Sequence, residues 1–209
     1  MDRSRDSIGN RTSDIVIGLA RRFDLSTLEA HHDHTVVLGA FAFVNGLISM
    51  SLMGAAALAT REPFIFPSLG PTAFLFFHTP LENAASPRNT VYGHLIGILA
   101  GWFPLAAFGL LGAGPALPGG ISGARVGAAA LSLALTAGVM VWLHVPHPPA
   151  GATTLMVSLG LLTRPVALGV LLLAVVLLTL QALLINRAAG LDYPLWKPNS
   201  SRPDSTESD

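Results

Sequence analysis

Apolar residues run along this chain in long blocks rather than in the alternation of a half-buried strand, and four blocks reach the roughly 20 residues that a helix needs to cross a bilayer. The first runs from about Thr35 to Ala59 without a charged side chain. The others run from about Val91 to Leu111, Val126 to Val145 and Pro165 to Ile185. Each predicts a transmembrane helix. Two further blocks are apolar but too short or too broken to span as helices: Pro63–Phe77, with prolines at 63, 67 and 71, and Gly151–Leu162, directly after Pro148-Pro149. They predict half-helices or re-entrant segments. Ser26 followed by Glu29 has the spacing of a capping box, so helix is expected before the first apolar block. Ile15–Leu25, with Arg21 and Arg22 beside apolar residues, is a candidate interfacial helix with an irregular apolar pattern.

The two short blocks share a pattern. Pro67, Gly70 and Thr72 have the spacing of Pro148, Gly151 and Thr153, and each set follows one long block and precedes another. The expected architecture is an all-α, polytopic membrane helix bundle of four transmembrane helices plus two proline-broken half-helices. It would be built by internal duplication of a helix, half-helix, helix unit. Its expected divisions are a polar N-terminal segment (1–34), a transmembrane domain (35–188) and a polar, disordered C-terminal tail (189–209).

Composition agrees. Hydrophobic residues make up 51% of the 209 and charged ones 11%, with a mean hydropathy of +0.58, which places the chain in the lipid bilayer. Zero net charge leaves no basic footprint for nucleic acid. Without cysteine there are neither disulfides nor thiolate metal ligands. The polar start after Met1 argues against a cleaved signal peptide. Arg3, Arg5, Arg11, Arg21 and Arg22 precede the first helix, and Arg187, Lys197 and Arg202 follow the last. The positive-inside rule then expects both termini in the cytoplasm, with the plasma (inner) membrane as host.

Candidate chemistry lies at the breaks. Two successive prolines at 148 and 149 end a helix, and broken backbone at membrane depth survives only inside protein or beside a water-filled cavity. No acidic residue occurs between Glu82 and Asp192, whereas Arg88, Arg125, Arg164, His94, His144 and His147 do. Half-helices starting near Pro67 and Pro148 would point two positive helix ends inward. Together these features favour an anion over a cation.

The expected substrate-binding set is Pro67, Gly70, Thr72, Arg88, Asn89, His94, His147, Pro148, Pro149, Gly151 and Thr153. Backbone N–H groups near Gly70 and Gly151 and the Thr72 and Thr153 hydroxyls would hold the anion, and Arg88 would supply charge. His94 or His147 would carry a proton. Arg88→Ala is expected to abolish uptake. The competing reading places Arg88, Arg125 and Arg164 at the interface, snorkelling to headgroups, and gives the histidines purely structural hydrogen bonds. No cofactor, metal or catalytic residue is expected, because neither an acid–base pair nor a ligand cage is present in the core. His31, His32 and His34 cluster outside the membrane part.

Gly93, Gly97 and Gly101 stack along one helix face, which allows close approach of another backbone, and Gly123 and Gly127 stand in the same relation. The last helix, rich in Leu and Val, is expected against lipid or a neighbouring subunit, and a homo-oligomer is one expected assembly. The alternative to transport is a structural or sensory membrane module that assembles through these glycine faces.

The run His147-Pro148-Pro149-Ala150-Gly151-Ala152-Thr153 occurs with Pro67-Ser68-Leu69-Gly70-Pro71-Thr72-Ala73 and with Ser86-Pro87-Arg88-Asn89 ahead of Gly93-His94. This ordered set resembles the HPP family of integral membrane proteins, named for its His-Pro-Pro triplet, over roughly His34 to Asn186. The resemblance implies four transmembrane helices and transport of a small anion. Nitrite is the first candidate, because some members of that family, in chloroplasts and cyanobacteria, are associated with nitrite transport. Other members carry soluble CBS domains after the membrane part. Here a short polar tail follows, so such regulation is not expected.

Overall fold

A computed structural model describes Leu25, Leu28 and residues 30–198. The expected capping box, interfacial helix and N-terminal arginines lie outside the described residues, as do Arg202 and the tail beyond Pro198. The four long helices form where the apolar blocks predict them: α1 (His34–Thr60), α3 (Pro87–Ala107), α5 (Gly123–Trp142) and α7 (Pro165–Ala188). The short blocks give the half-helices α2 (Leu69–His78) and α6 (Ala150–Ser158). A 3-10 turn at Asn83–Ala85 precedes α3, and a single turn, α4 (Ala116–Gly119), precedes α5.

Local chemistry sets the ends. Asp33 caps α1 by accepting from the Thr35 and Val36 amides. Ser86 and Ser122 cap α3 and α5 in the same way, and Pro87 and Pro165 stand at the first turns of α3 and α7. The second apolar block was expected to continue as helix to Leu111. Instead α3 ends at Ala107, because Gly109 turns left-handed (φ 67°) and the Leu110 amide returns to the Leu105 carbonyl. His144 (φ 53°) closes α5 likewise and is exposed.

Contacts along the helices give their directions. Gly93, Gly97 and Gly101 of α3 meet His147, Ala150 and Val157 in that order, so α3 and α6 run parallel. Phe108, just past α3, lies over Gly127 near the start of α5, so α3 and α5 are antiparallel. Gly54 of α1 meets Ile65, and Phe41 of α1 meets Phe77, so the stretch from Ile65 to Phe77 runs back along α1. Asn186, near the end of α7, donates to the Phe76 carbonyl (3.0 Å), and Tyr193 donates to the Ala85 carbonyl just before α3. The starts of α1 and α3 and the ends of α2, α5 and α7 therefore share one end of the bundle.

This path makes both short segments traverse the bundle. Each combines a non-helical stretch, 61–68 or 143–149, with a half-helix that completes the passage. The half-helices start in the middle and leave in opposite directions. The first helix, half-helix, helix unit enters from one end and the second from the other, an inverted repeat. Pro67 and Pro148 each stand two positions before the first residue of their half-helix, so the Pro-x-x-Gly-x-Thr patterns occupy equivalent positions.

Burying apolar area is a weak driving force in lipid, so tight packing decides. A Cβ on Gly97 would sit 2.8 Å from the Ala150 carbonyl oxygen, and one on Gly101 2.9 Å from that of Thr154. The glycine stripe thus brings two backbones together, as expected from its spacing. Gly127 admits the Phe108 ring, whereas a Cβ on Gly123 would meet nothing. The last span, α7, has two faces. Leu171, Ala174, Val175, Leu178 and Ala182 are fully buried against its neighbours, whereas Val166, Leu173, Leu180 and Leu184 stay exposed, the face open to lipid or a neighbouring subunit. Of the four spans, α1 is the most exposed. Leu and Val can interdigitate across a helix pair without small residues. The start of the expected tail is also ordered, since Tyr193 is fully buried and the Trp196 carbonyl accepts from the Arg88 amide.

Candidate functional site

Thr72 and Thr153 each stand at the fourth position of their half-helix, where the two starts meet in the middle of the bundle. Between them lies the ring of His94, from α3. Its Nδ1 is 2.8 Å from Thr153 Oγ1 and its Nε2 3.0 Å from Thr72 Oγ1. The Thr72 hydroxyl donates to the Ser68 carbonyl (2.8 Å), so it accepts from His94 Nε2–H. His94 Nδ1 then accepts from the Thr153 hydroxyl. One neutral imidazole thereby joins both repeats.

His147 packs beside it, with ring centroids 5.0 Å apart. Its Nδ1 lies 2.7 Å from the Ala84 carbonyl, which can only accept, so Nδ1 carries the proton. Its Nε2 faces Thr72 Oγ1 at 3.4 Å. A Cβ on Gly93 would lie 2.6 Å from His147 Cβ, so that glycine is what admits the ring. Thr72, Thr90, His94, His147 and Thr153 are all fully buried.

The remaining expected residues lie around this cluster. Pro148 and Pro149 join Pro71, Phe74, Leu75 and Ala152 in lining an apolar cleft of about 390 Å³ between the half-helix starts, on the outer side of the cluster. Pro67 and Gly70 are exposed. Gly151 packs against Leu133, and its amide donates to the Pro148 carbonyl (2.9 Å). The neighbouring Ala150 and Ala152 amides bond to the His147 and Pro149 carbonyls, so the first amides of α6 are already engaged. Asn89 serves the helix start, with its amide on Ser86 Oγ and its side chain donating to the Asn83 carbonyl. Arg88 is half-buried at the first turn of α3, and its guanidinium makes no hydrogen bond or ion pair among the described residues.

Three features escaped sequence reading. Thr90 lies 3.4 Å from His147 Nδ1. It precedes His94 by one turn on the glycine face, and following that stripe upward would have found it. Thr136 and Thr154 share a hydrogen bond (2.7 Å) between α5 and α6. Arg125 is buried and donates to the Ser158 (3.3 Å) and Gly114 (2.7 Å) carbonyls, closing the negative end of α6. Only the fold brings position 125 to the last residue of a half-helix. Among the described residues, no group of three or more His, Asp or Glu converges as metal ligands.

A family model described as "HPP, transmembrane region" matches residues 31–194, most of the chain and all of the bundle. The chain belongs to the HPP family. In this HPP bundle the triplet itself supplies the break, with His147 turned inward onto His94 and the two prolines turned toward the cleft. No curated protein and no solved structure matches the chain.

Proposed function

We propose that this integral membrane protein transports a small inorganic anion, with nitrite the first substrate to test. The observation that carries the reading is the meeting of two oppositely directed half-helix starts at one histidine. Discontinuous helices that meet at mid-depth in an inverted repeat are how many transporters build a substrate site. The positive ends of both half-helices converge there. No carboxylate competes, because residues 83–191 contain no Asp or Glu. An anion would recruit the Thr72 and Thr153 hydroxyls and the His94 ring N–H by drawing each from its present partner: Thr72 from the Ser68 carbonyl, Thr153 from His94 Nδ1 and His94 Nε2–H from Thr72 Oγ1. Arg88, at one end of the bundle, serves as a rim charge that attracts the anion. The cytoplasm is the expected side of that end, from the arginines that flank the bundle.

The test is uptake of nitrite, nitrate, formate and chloride by proteoliposomes. Saturable flux of at least one, above that of protein-free vesicles, supports the reading. Absence of flux from folded protein contradicts it. One observation favours the alternative, a non-transporting structural or sensory module: both histidines are fully buried and the α6 amides are engaged. A transporter must open this cluster to one side at a time, whereas a module keeps it shut.

A further inference from the structure

The inference rests on the anion reading and concerns what moves with the anion. An anion in a dry site at membrane depth needs a compensating positive charge. The arginines are placed elsewhere. Arg125 is held by the Ser158 and Gly114 carbonyls, Arg187 donates to the Tyr193 carbonyl, Arg164 stands just before the first turn of α7, and Arg88 stands at the first turn of α3. The groups in the cluster that can become cationic are His94 and His147.

Their hydrogen bonds set them apart. Both nitrogens of His94 are engaged, and a proton on its Nδ1 would force the Thr153 hydroxyl to turn away. His147 Nδ1–H is fixed on the Ala84 carbonyl. Its Nε2 faces Thr72 Oγ1, whose single proton goes to the Ser68 carbonyl, so this nitrogen is an acceptor without a donor. A proton added there points at the second lone pair of Thr72 Oγ1 and breaks no existing bond. The groups facing His147 are the Ala84 carbonyl from the 3-10 turn, Thr72 from α2, and Thr90 and His94 from α3. None is a carboxylate, so nothing in the site holds the proton unless the anion is there.

We infer that one proton crosses with each anion, and that His147 Nε2 is the atom that takes it up. The proton enters the Nε2 lone pair as the anion binds and leaves the same atom when the anion is released. The pair is neutral overall. Proton and anion each disfavour the buried site alone and stabilise it together.

The experiment loads proteoliposomes with a pH-sensitive dye, adds sodium nitrite outside, and subtracts the nitrous acid leak of protein-free vesicles. Lumenal acidification that tracks saturable nitrite entry is expected. An inside-alkaline gradient of one unit should drive roughly tenfold accumulation. Saturable entry with no acidification and no response to the gradient would overturn the coupling while leaving anion transport standing. Absence of any saturable flux from folded protein would overturn both. His147→Asn keeps an amide donor for the Ala84 carbonyl and removes the basic nitrogen. It should lose gradient-driven accumulation, and accumulation at the original level would overturn the assignment of the atom. His147→Gln takes its place if the asparagine variant does not fold.

Discussion

His94 Nδ1 lies 2.8 Å from Thr153 Oγ1, the only hydrogen bond that this threonine side chain makes among the described residues. Through the same ring, at Nε2, His94 reaches Thr72 of the other repeat at 3.0 Å. The start of each half-helix is therefore referred to one side chain, and movement of either repeat must break or carry a bond to that ring.

The glycine stripe on α3 is a sharp test of the packing. Gly97→Ala would drive a methyl to 2.8 Å from the Ala150 carbonyl oxygen, a backbone atom that cannot swing aside. Overpacking of this kind costs about 1–3 kcal/mol. Thermal unfolding in detergent should show a Tm lower by roughly 2–10 °C. Gly70→Ala, where a Cβ meets nothing within 4 Å, should leave Tm within about 2 °C.

Arg125 should behave as a structural cation. Arg125→Met strands two carbonyls, and hydrogen bonds to a charged group are worth about 1.5–3 kcal/mol. A clear fall in Tm is expected. Arg125→Lys keeps the charge but loses the two-pronged reach, and should recover part of it.

Arg88 should do the opposite. Its guanidinium is bonded to nothing among the described residues and stands at the end of the bundle rather than in the cluster. Arg88→Ala should leave Tm unchanged. Uptake should fall severalfold at low salt, with the difference shrinking as salt rises, as expected for a rim charge. Loss of all flux at every ionic strength would put Arg88 back into the site.

Both short segments should traverse the membrane. The chain has no native cysteine, so single-cysteine labelling is direct. Glu62→Cys and Glu82→Cys, both at exposed positions flanking α2, should react with a membrane-impermeant maleimide from opposite sides. Labelling from the same side would restore a re-entrant loop.

Much of this was legible in the chain. Block length gave the four spans because a bilayer demands about 20 apolar residues wherever a helix crosses it. The repeated Pro-x-x-Gly-x-Thr pattern marked both half-helices, since proline cannot continue a helix and so fixes where one begins. The meeting of Thr72, His94 and Thr153 depends on helix direction, which no local pattern encodes. The roles of Arg125 and Arg88 were obscure for a related reason. Both are arginines near a helix start, and only tertiary placement gives one a pair of carbonyls and leaves the other at the rim. Ser86-Pro87-Arg88-Asn89 read as a binding motif, yet Ser86 and Asn89 serve chiefly to start α3.

The central claim is that the two threonines at the half-helix starts, held by His94, form the anion site. Thr72→Val with Thr153→Val keeps side-chain shape and removes both hydroxyls, and the measurement is saturable nitrite uptake by proteoliposomes holding the folded double variant. Each single change should lower uptake about tenfold or more, from roughly 1–3 kcal/mol per unmade bond. The pair should abolish it, with less than additive single effects because both bonds share one ring. A folded double variant that takes up nitrite as the unaltered protein does would contradict the assignment.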